Sequence, residues 1–165
     1  MTKCKYKADM PYPDTIIKTQ SMYEIRLLMP VYGGRESETT AIMNYIYQSY
    51  VLAEQYPEIA DCLLHIGMVE MEHHEMLGKA ITMLGGTPYI GGNHSYWQGS
   101  YANYSKDIKT ILQNDIADEK QAIRDYKDIT HTSKMPEIVV LVERIIEDEK
   151  VHIEILTTII NSLNS

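Results

Sequence analysis

The chain has 165 residues, 44% of them hydrophobic, enough for one domain with a real core and too little for two large ones. Its formal net charge of −8, with no dense run of Lys or Arg, argues against a nucleic-acid surface. The two cysteines, Cys4 and Cys62, form no Cys-x-x-Cys pair, which speaks against a rubredoxin-type iron site or a disulfide framework and fits a reducing cytoplasm.

Residues 1–30 have no strong period and contain Pro11, Pro13 and Pro30. They read as an extended N-terminal arm with a short helix near Ser21–Met29, ahead of a bundle at 31–165. The first ten residues are basic but lead into Pro-Tyr-Pro-Asp, so no signal peptide is expected. Gly33-Gly34 opens a helix running to about Glu54. Pro57 suits the first turn of a second helix, which continues to Leu84 and is stopped by Gly85-Gly86. Ser105 is an expected N-cap for a third helix ending near Ile129, and Pro136 starts a fourth that reaches about Leu163. The aliphatic run Ile138–Val142 is bracketed by Glu137 and Glu143, so no membrane span is expected. With no strand signal, the class is all-α.

The segment between the second and third helices, from Gly86 to Tyr104, is long for a compact domain. Two antiparallel hairpins whose inner helices run parallel require such a link, because a helix of about 20 residues is roughly 30 Å long. One long crossover distinguishes this bundle from a simple up-and-down one.

The two halves repeat. Glu38-Thr-Thr-Ala41-Ile42-Met-Asn-Tyr45 and Glu119-Lys-Gln-Ala122-Ile123-Arg-Asp-Tyr126 share the pattern Glu-x-x-Ala-Ile-x-x-Tyr. Glu70-Met-Glu-His73 and Glu149-Lys-Val-His152 share Glu-x-x-His and follow at nearly equal offsets. Leu63, Ile66, Glu70, His73, Leu77, Ala80 and Leu84 form a seam spaced by three and four. Val142, Ile145, Glu149, His152, Leu156, Ile159 and Leu163 keep the same rhythm. Each apolar seam is thus interrupted in mid-helix by one Glu and one His.

Four carboxylates aimed into a core are strongly destabilising unless neutralised, and no Lys or Arg occupies the seams. Two divalent cations balance the four charges, with neutral imidazoles completing the shells. A Glu from each of two helices plus Glu-x-x-His from each of the others is the ligand arrangement of dimetal helix bundles. The spacing works because residues i and i+3 share a helix face.

A lone Glu-x-x-His is more often a surface pair, but here two copies share one seam register and accompany two matched Glu/Tyr motifs. Tyr45 and Tyr126 read either as core tyrosines or as hydrogen-bond donors to ligand carboxylates. His65, His74, His94 and His131 read as solvent-facing or loop residues, and Glu72, Glu75, Glu147 and Glu154 as a solvated face. Glu36 competes with Glu38 but lacks its motif. Met68 and Met71 read as packing residues.

On these motifs the chain resembles the ferritin-like superfamily, in the branch of bacterioferritin, rubrerythrin and manganese catalase. Glu38-Thr-Thr-Ala41-Ile42-x-x-Tyr45 looks like the first-helix signature of bacterioferritin, and Asp148-Glu149-Lys-Val-His152-Ile153 like its fourth-helix motif. The proline-rich lead-in, Gly33-Gly34 and the loop Ser95–Tyr104 are similar to manganese-catalase-type spore-coat proteins and small clostridial relatives. The likeness covers about residues 10–163. It implies Glu38, Glu70, His73, Glu119, Glu149 and His152 as ligands, with Glu70 and Glu149 bridging and Glu38 and Glu119 terminal. Rubrerythrins carry a further Glu three residues after the third-helix ligand, where this chain has Ala122, and a Cys-rich module. Bacterioferritin holds haem through a Met after the second-helix Glu, the place of Met71.

The leading expectation is a di-iron centre that reduces peroxide or oxygen with electrons from an external donor protein. A dimanganese catalase would use nearly the same ligands without a donor. A ferroxidase or storage cage and a structural coat protein with a vestigial site are the other readings. A cytoplasmic homodimer or small homo-oligomer is expected.

Overall fold

The computed structural model describes residues 5–163; Cys4 lies outside them. It contains five α-helices: α1 (Met22–Gly33), α2 (Glu38–Leu52), α3 (Pro57–Met83), α4 (Ile108–Thr132) and α5 (Pro136–Ser162). The bundle is formed by α2–α5, paired as the hairpins α2–α3 and α4–α5, and α1 lies against α2, α3 and α4. Among the described residues the only β pairing is an isolated bridge between Gly91 and Tyr96.

Helix ends follow local chemistry. Ser21, Ser37 and Asp107 each accept from the backbone N–H three residues on, while Pro57 and Pro136 occupy first turns where a missing N–H costs nothing. The cap of α4 is therefore Asp107, not Ser105. Asp107 Oδ1 accepts from Thr110 N at 2.8 Å, and Ser105 Oγ accepts from Asp107 N in the preceding turn. Gly33-Gly34 closes α1 instead of opening the next helix, with Gly34 N donating to Pro30 O.

The short helix expected near Ser21–Met29 is longer and passes through Pro30. Pro30 cannot donate to the carbonyl of Arg26, and Asn93 Nδ2 takes that place at 2.9 Å. Leu28, Met29 and Tyr32 of α1 are buried, so this part of the arm belongs to the core.

The core has two apolar parts. One gathers Leu77, Ala80, Leu84, Leu141, Val142 and Ile145 with α1; the other gathers Leu63, Ile66, Ile111, Leu112 and Leu156. Along α3 the second part comes first, along α5 the first does, so the two helices run antiparallel. In both, the Glu-x-x-His falls between the two apolar parts.

The crossover, residues 84–107, turns away from α3 at Gly85, whose φ of +90° suits glycine. It then runs along α2: Trp97 Nε1 donates to Thr40 Oγ1 at 2.9 Å, Asn103 N to Asn44 Oδ1 at 2.8 Å, and Tyr47 OH to Tyr104 O at 3.0 Å. This is a ferritin-like four-helix bundle with one long crossover.

Candidate metal centre

All six candidate ligands come together between the two apolar clusters, none more than 4% exposed. Their donor atoms form two overlapping sets: Glu38, Glu70, His73 and Glu149, and Glu70, Glu119, Glu149 and His152. Within each set the atoms lie within 4.8 Å of one another. His73 Nδ1 is 3.1 Å from Glu70 Oε2 and 3.3 Å from Glu149 Oε1, while His152 Nδ1 is 2.9 Å from both Glu70 Oε1 and Glu149 Oε2. Glu70 and Glu149 thus present one oxygen to each histidine. Glu38 faces only His73 and Glu119 only His152, each at 3.6 Å.

The tyrosines cross over between helices. Tyr126 of α4 donates to Glu38 of α2, and Tyr45 of α2 donates to Glu119 of α4. Gly67 lets α3 approach here, since a Cβ on it would lie 3.0 Å from Tyr45 Cβ.

Burial, followed by the charge of Glu70, pushes the Glu38 and Glu119 carboxyls well above their ordinary range. Burial also raises Glu70, but the facing imidazoles of His152 and His73 outweigh it and leave that carboxyl low. Burial opposes charging of His73 and His152, yet the surrounding carboxylates hold both rings well above the usual imidazole value. Tyr45 and Tyr126 are raised by burial and by the carboxylates they face, and stay protonated donors.

These residues fit a pair of cations. Four buried carboxylates have no Lys or Arg among them; the buried Arg144 is engaged by Asp148 at 2.6 Å. No donor is aligned on Glu38 Oε2, Glu70 Oε1 or Glu149 Oε2. Mixed carboxylate and imidazole donors suit manganese or iron.

A cavity of about 320 Å³ opens between α2 and α4 and reaches Glu38, Glu70, Glu119 and Glu149. Ala41 and Ala122, small residues at matching positions, line it with Tyr45 and Tyr126, as do Asp118 and Asp125 of α4 and Arg35 and Glu36 of the turn before α2. Asp115 lines it too, buried, accepting from Gln48 Nε2 at 2.7 Å, and burial pushes its carboxyl up to about 8.

Residues 35–160 match the family model for rubrerythrin. The chain belongs to the rubrerythrin family. A probable manganese catalase of Clostridium acetobutylicum is 26% identical over 118 residues, which are 58% of this chain and 52% of that protein. The chain thus spans about half the length of that curated relative. Among solved structures, a manganese catalase of Anabaena matches with a TM-score of 0.84 and 22% identity, over 96% of this chain and 80% of that one. A bacterioferritin of Desulfovibrio desulfuricans matches at 0.72 and 27%, over 86% of this chain and 80% of that one. As in other members of the ferritin-like superfamily, a dimetal site with carboxylate and histidine ligands is indicated.

Several rubrerythrin-family residues sit elsewhere than the sequence suggested. His74 is not solvent-facing: it is half-buried and stacked on Tyr32, ring centres 4.2 Å apart. Met68 and Met71 do not pack in the core; they are 47% and 42% exposed, because their helix turns them away from the seam. Met71, the haem candidate, therefore faces solvent. His94 and His131 are exposed, and His65 stacks on Tyr6 at 4.9 Å. Glu72 and Glu147 are partly buried and paired with Lys7 and Lys150. Asp148, Arg144 and Tyr12, all joined to the site, were not singled out as site residues. Only Asp148 carried a signal, its position directly before Glu149.

Proposed function

We propose that the protein dismutes hydrogen peroxide at a dimanganese centre held by Glu38, Glu70, His73, Glu119, Glu149 and His152. The observation that carries this reading is the pair of overlapping four-residue donor sets whose four glutamates line a cavity of about 320 Å³. Manganese is favoured by the catalase likenesses from both sequence and structure, and by a reaction that needs no outside reductant. When bound, the metal pair supplies the two-electron exchange that converts two peroxides into dioxygen and two waters.

The chain's own residues hold and shield. Glu70 and Glu149, which face both histidines, would serve both metal positions, Glu38 and Glu119 would serve one each, and His73 and His152 would offer Nδ1. The Tyr45 and Tyr126 hydroxyls donate to Glu119 Oε1 and Glu38 Oε1 and fix the orientation of these carboxylates. The cavity admits a small substrate beside Ala41 and Ala122, and the two apolar clusters exclude bulk water on either side.

The second reading is a di-iron centre reducing peroxide or oxygen with an external donor protein, favoured by the family match. An oxygen electrode separates the two. Protein carrying two manganese ions per chain is expected to release one dioxygen for every two peroxides without added reductant. Peroxide consumption only with a reductant, and no dioxygen, would transfer the assignment to the di-iron reading.

A further inference from the structure

The ligands follow a two-fold pattern that their supports break. His73 turns Nδ1 to the carboxylates and places Nε2 3.0 Å from Asp148 Oδ2. Asp148 is fully buried. Its Oδ1 accepts from Arg144 Nη1 at 2.6 Å and from Ala8 N at 2.7 Å, and its Oδ2 also accepts from Tyr12 OH at 2.7 Å. Arg144 in turn donates through Nε to Met10 O at 3.0 Å and through Nη2 to Ala8 O at 3.2 Å, its guanidinium 4.4 Å from the Tyr12 ring centre. Lys7 fastens the same segment to Glu72 at 2.7 Å.

His152 has none of this. Its Nδ1 faces the carboxylates, but its Nε2 is buried and has no hydrogen-bond partner among the described residues. The sequence explains the difference: Asp148 precedes Glu149, whereas the residue before Glu70 is Val69. Both metal positions otherwise share Glu70 and Glu149 and have one terminal Glu held by one Tyr. Ligand charge therefore cannot distinguish them; the outer hydrogen bond of the histidine can. A carboxylate on the far N–H fixes the tautomer and ring orientation of a ligating imidazole and strengthens it as a donor.

We infer that residues 7–12 are a working part of the centre, with Tyr12 and Arg144 as positioning residues that hold Asp148 on His73, so that the His73 position binds its cation first and more tightly than the His152 position. The inference rests on the dimetal reading of the site. It requires of the N-terminal segment more than coverage: the segment satisfies four of the contacts that keep Asp148 and Arg144 in place.

The test is anaerobic titration of the full metal-free chain with Mn(II), by calorimetry and equilibrium dialysis. Wild type is expected to take two ions in separated steps, with dissociation constants differing by about tenfold or more. Asp148→Asn should weaken the tighter step by about 10- to 100-fold, and Tyr12→Phe by a smaller factor. Both should leave the weaker constant near the wild-type value; Tyr12→Phe should also keep the melting temperature of the metal-free chain, whereas Asp148→Asn lowers it by leaving the buried Arg144 without its carboxylate. Tyr47→Phe, which removes a hydroxyl bonded to Tyr104 O on the far side of α2, should change neither step. Two equal constants in wild type, or a Tyr12→Phe effect spread equally over both steps, would overturn the inference while leaving the dimetal reading standing. Fewer than two ions in wild type would overturn both.

Discussion

On the outer side of α3 and α5 the segment 7–12 lies across the centre, bonded to Glu72, Arg144 and Asp148. On the side of α2 and α4 a cavity of about 320 Å³ is left instead. The two helix pairs have matched motifs, yet one face is sealed by polar contacts and the other kept open by Ala41 and Ala122. The two histidines and the carboxylates of Glu70 and Glu149 that face both of them sit on the sealed pair, and Glu38 and Glu119, each bonded by a tyrosine, sit beside the opening.

This contrast can be broken from either side. The largest effect is expected from Glu70→Ala, since Glu70 offers an oxygen to both histidines. Elemental analysis should find at most one metal per chain, and a variant that keeps two would remove Glu70 from the set. On the open face, Ala122→Leu fills part of the cavity and should lower kcat/KM for peroxide by about tenfold or more at unchanged metal content. An unaffected rate would mean that substrate enters elsewhere.

The smallest effect concerns Asp115. Burial raises its carboxyl to about 8 in the folded chain, so the folded state keeps a proton that the unfolded chain loses above about pH 4. Stability therefore falls as pH rises from that point to about 8, where the penalty is complete. Asp115→Asn should flatten this decline, read as a smaller loss of melting temperature between pH 5 and pH 9. A slope equal to wild type would show that Asp115 is not the group responsible.

Much of the bundle was legible because its signals are local. Pro57 and Pro136 mark first turns, Gly85-Gly86 a stop, and the three-four rhythm marks a seam that is buried through Leu63–Leu84 and Val142–Leu156 and partly buried at Ile159 and Leu163. The six candidate ligands were legible for the same reason, since a polar pair interrupting an apolar seam in two matched helices needs no knowledge of the rest of the chain. Where local signals compete, reading failed: Ser105 and Asp107 are both good caps, and the geometry of the crossover decides for Asp107.

The sequence by itself determined the helices, their inward faces and the convergence of four glutamates and two histidines, because periodicity, capping and the cost of buried charge act within one or two turns. Only the tertiary structure decided what surrounds them. Nothing local links Ala8 and Tyr12 to Asp148, Tyr45 to Glu119 or Tyr126 to Glu38, residues 74 to 140 positions apart. Nor does any local rule turn α1 through Pro30 onto the core or stack His74 on Tyr32. Those outcomes depend on which surfaces meet once the hairpins are packed, and hydrogen bonds of such range exist only in the assembled fold.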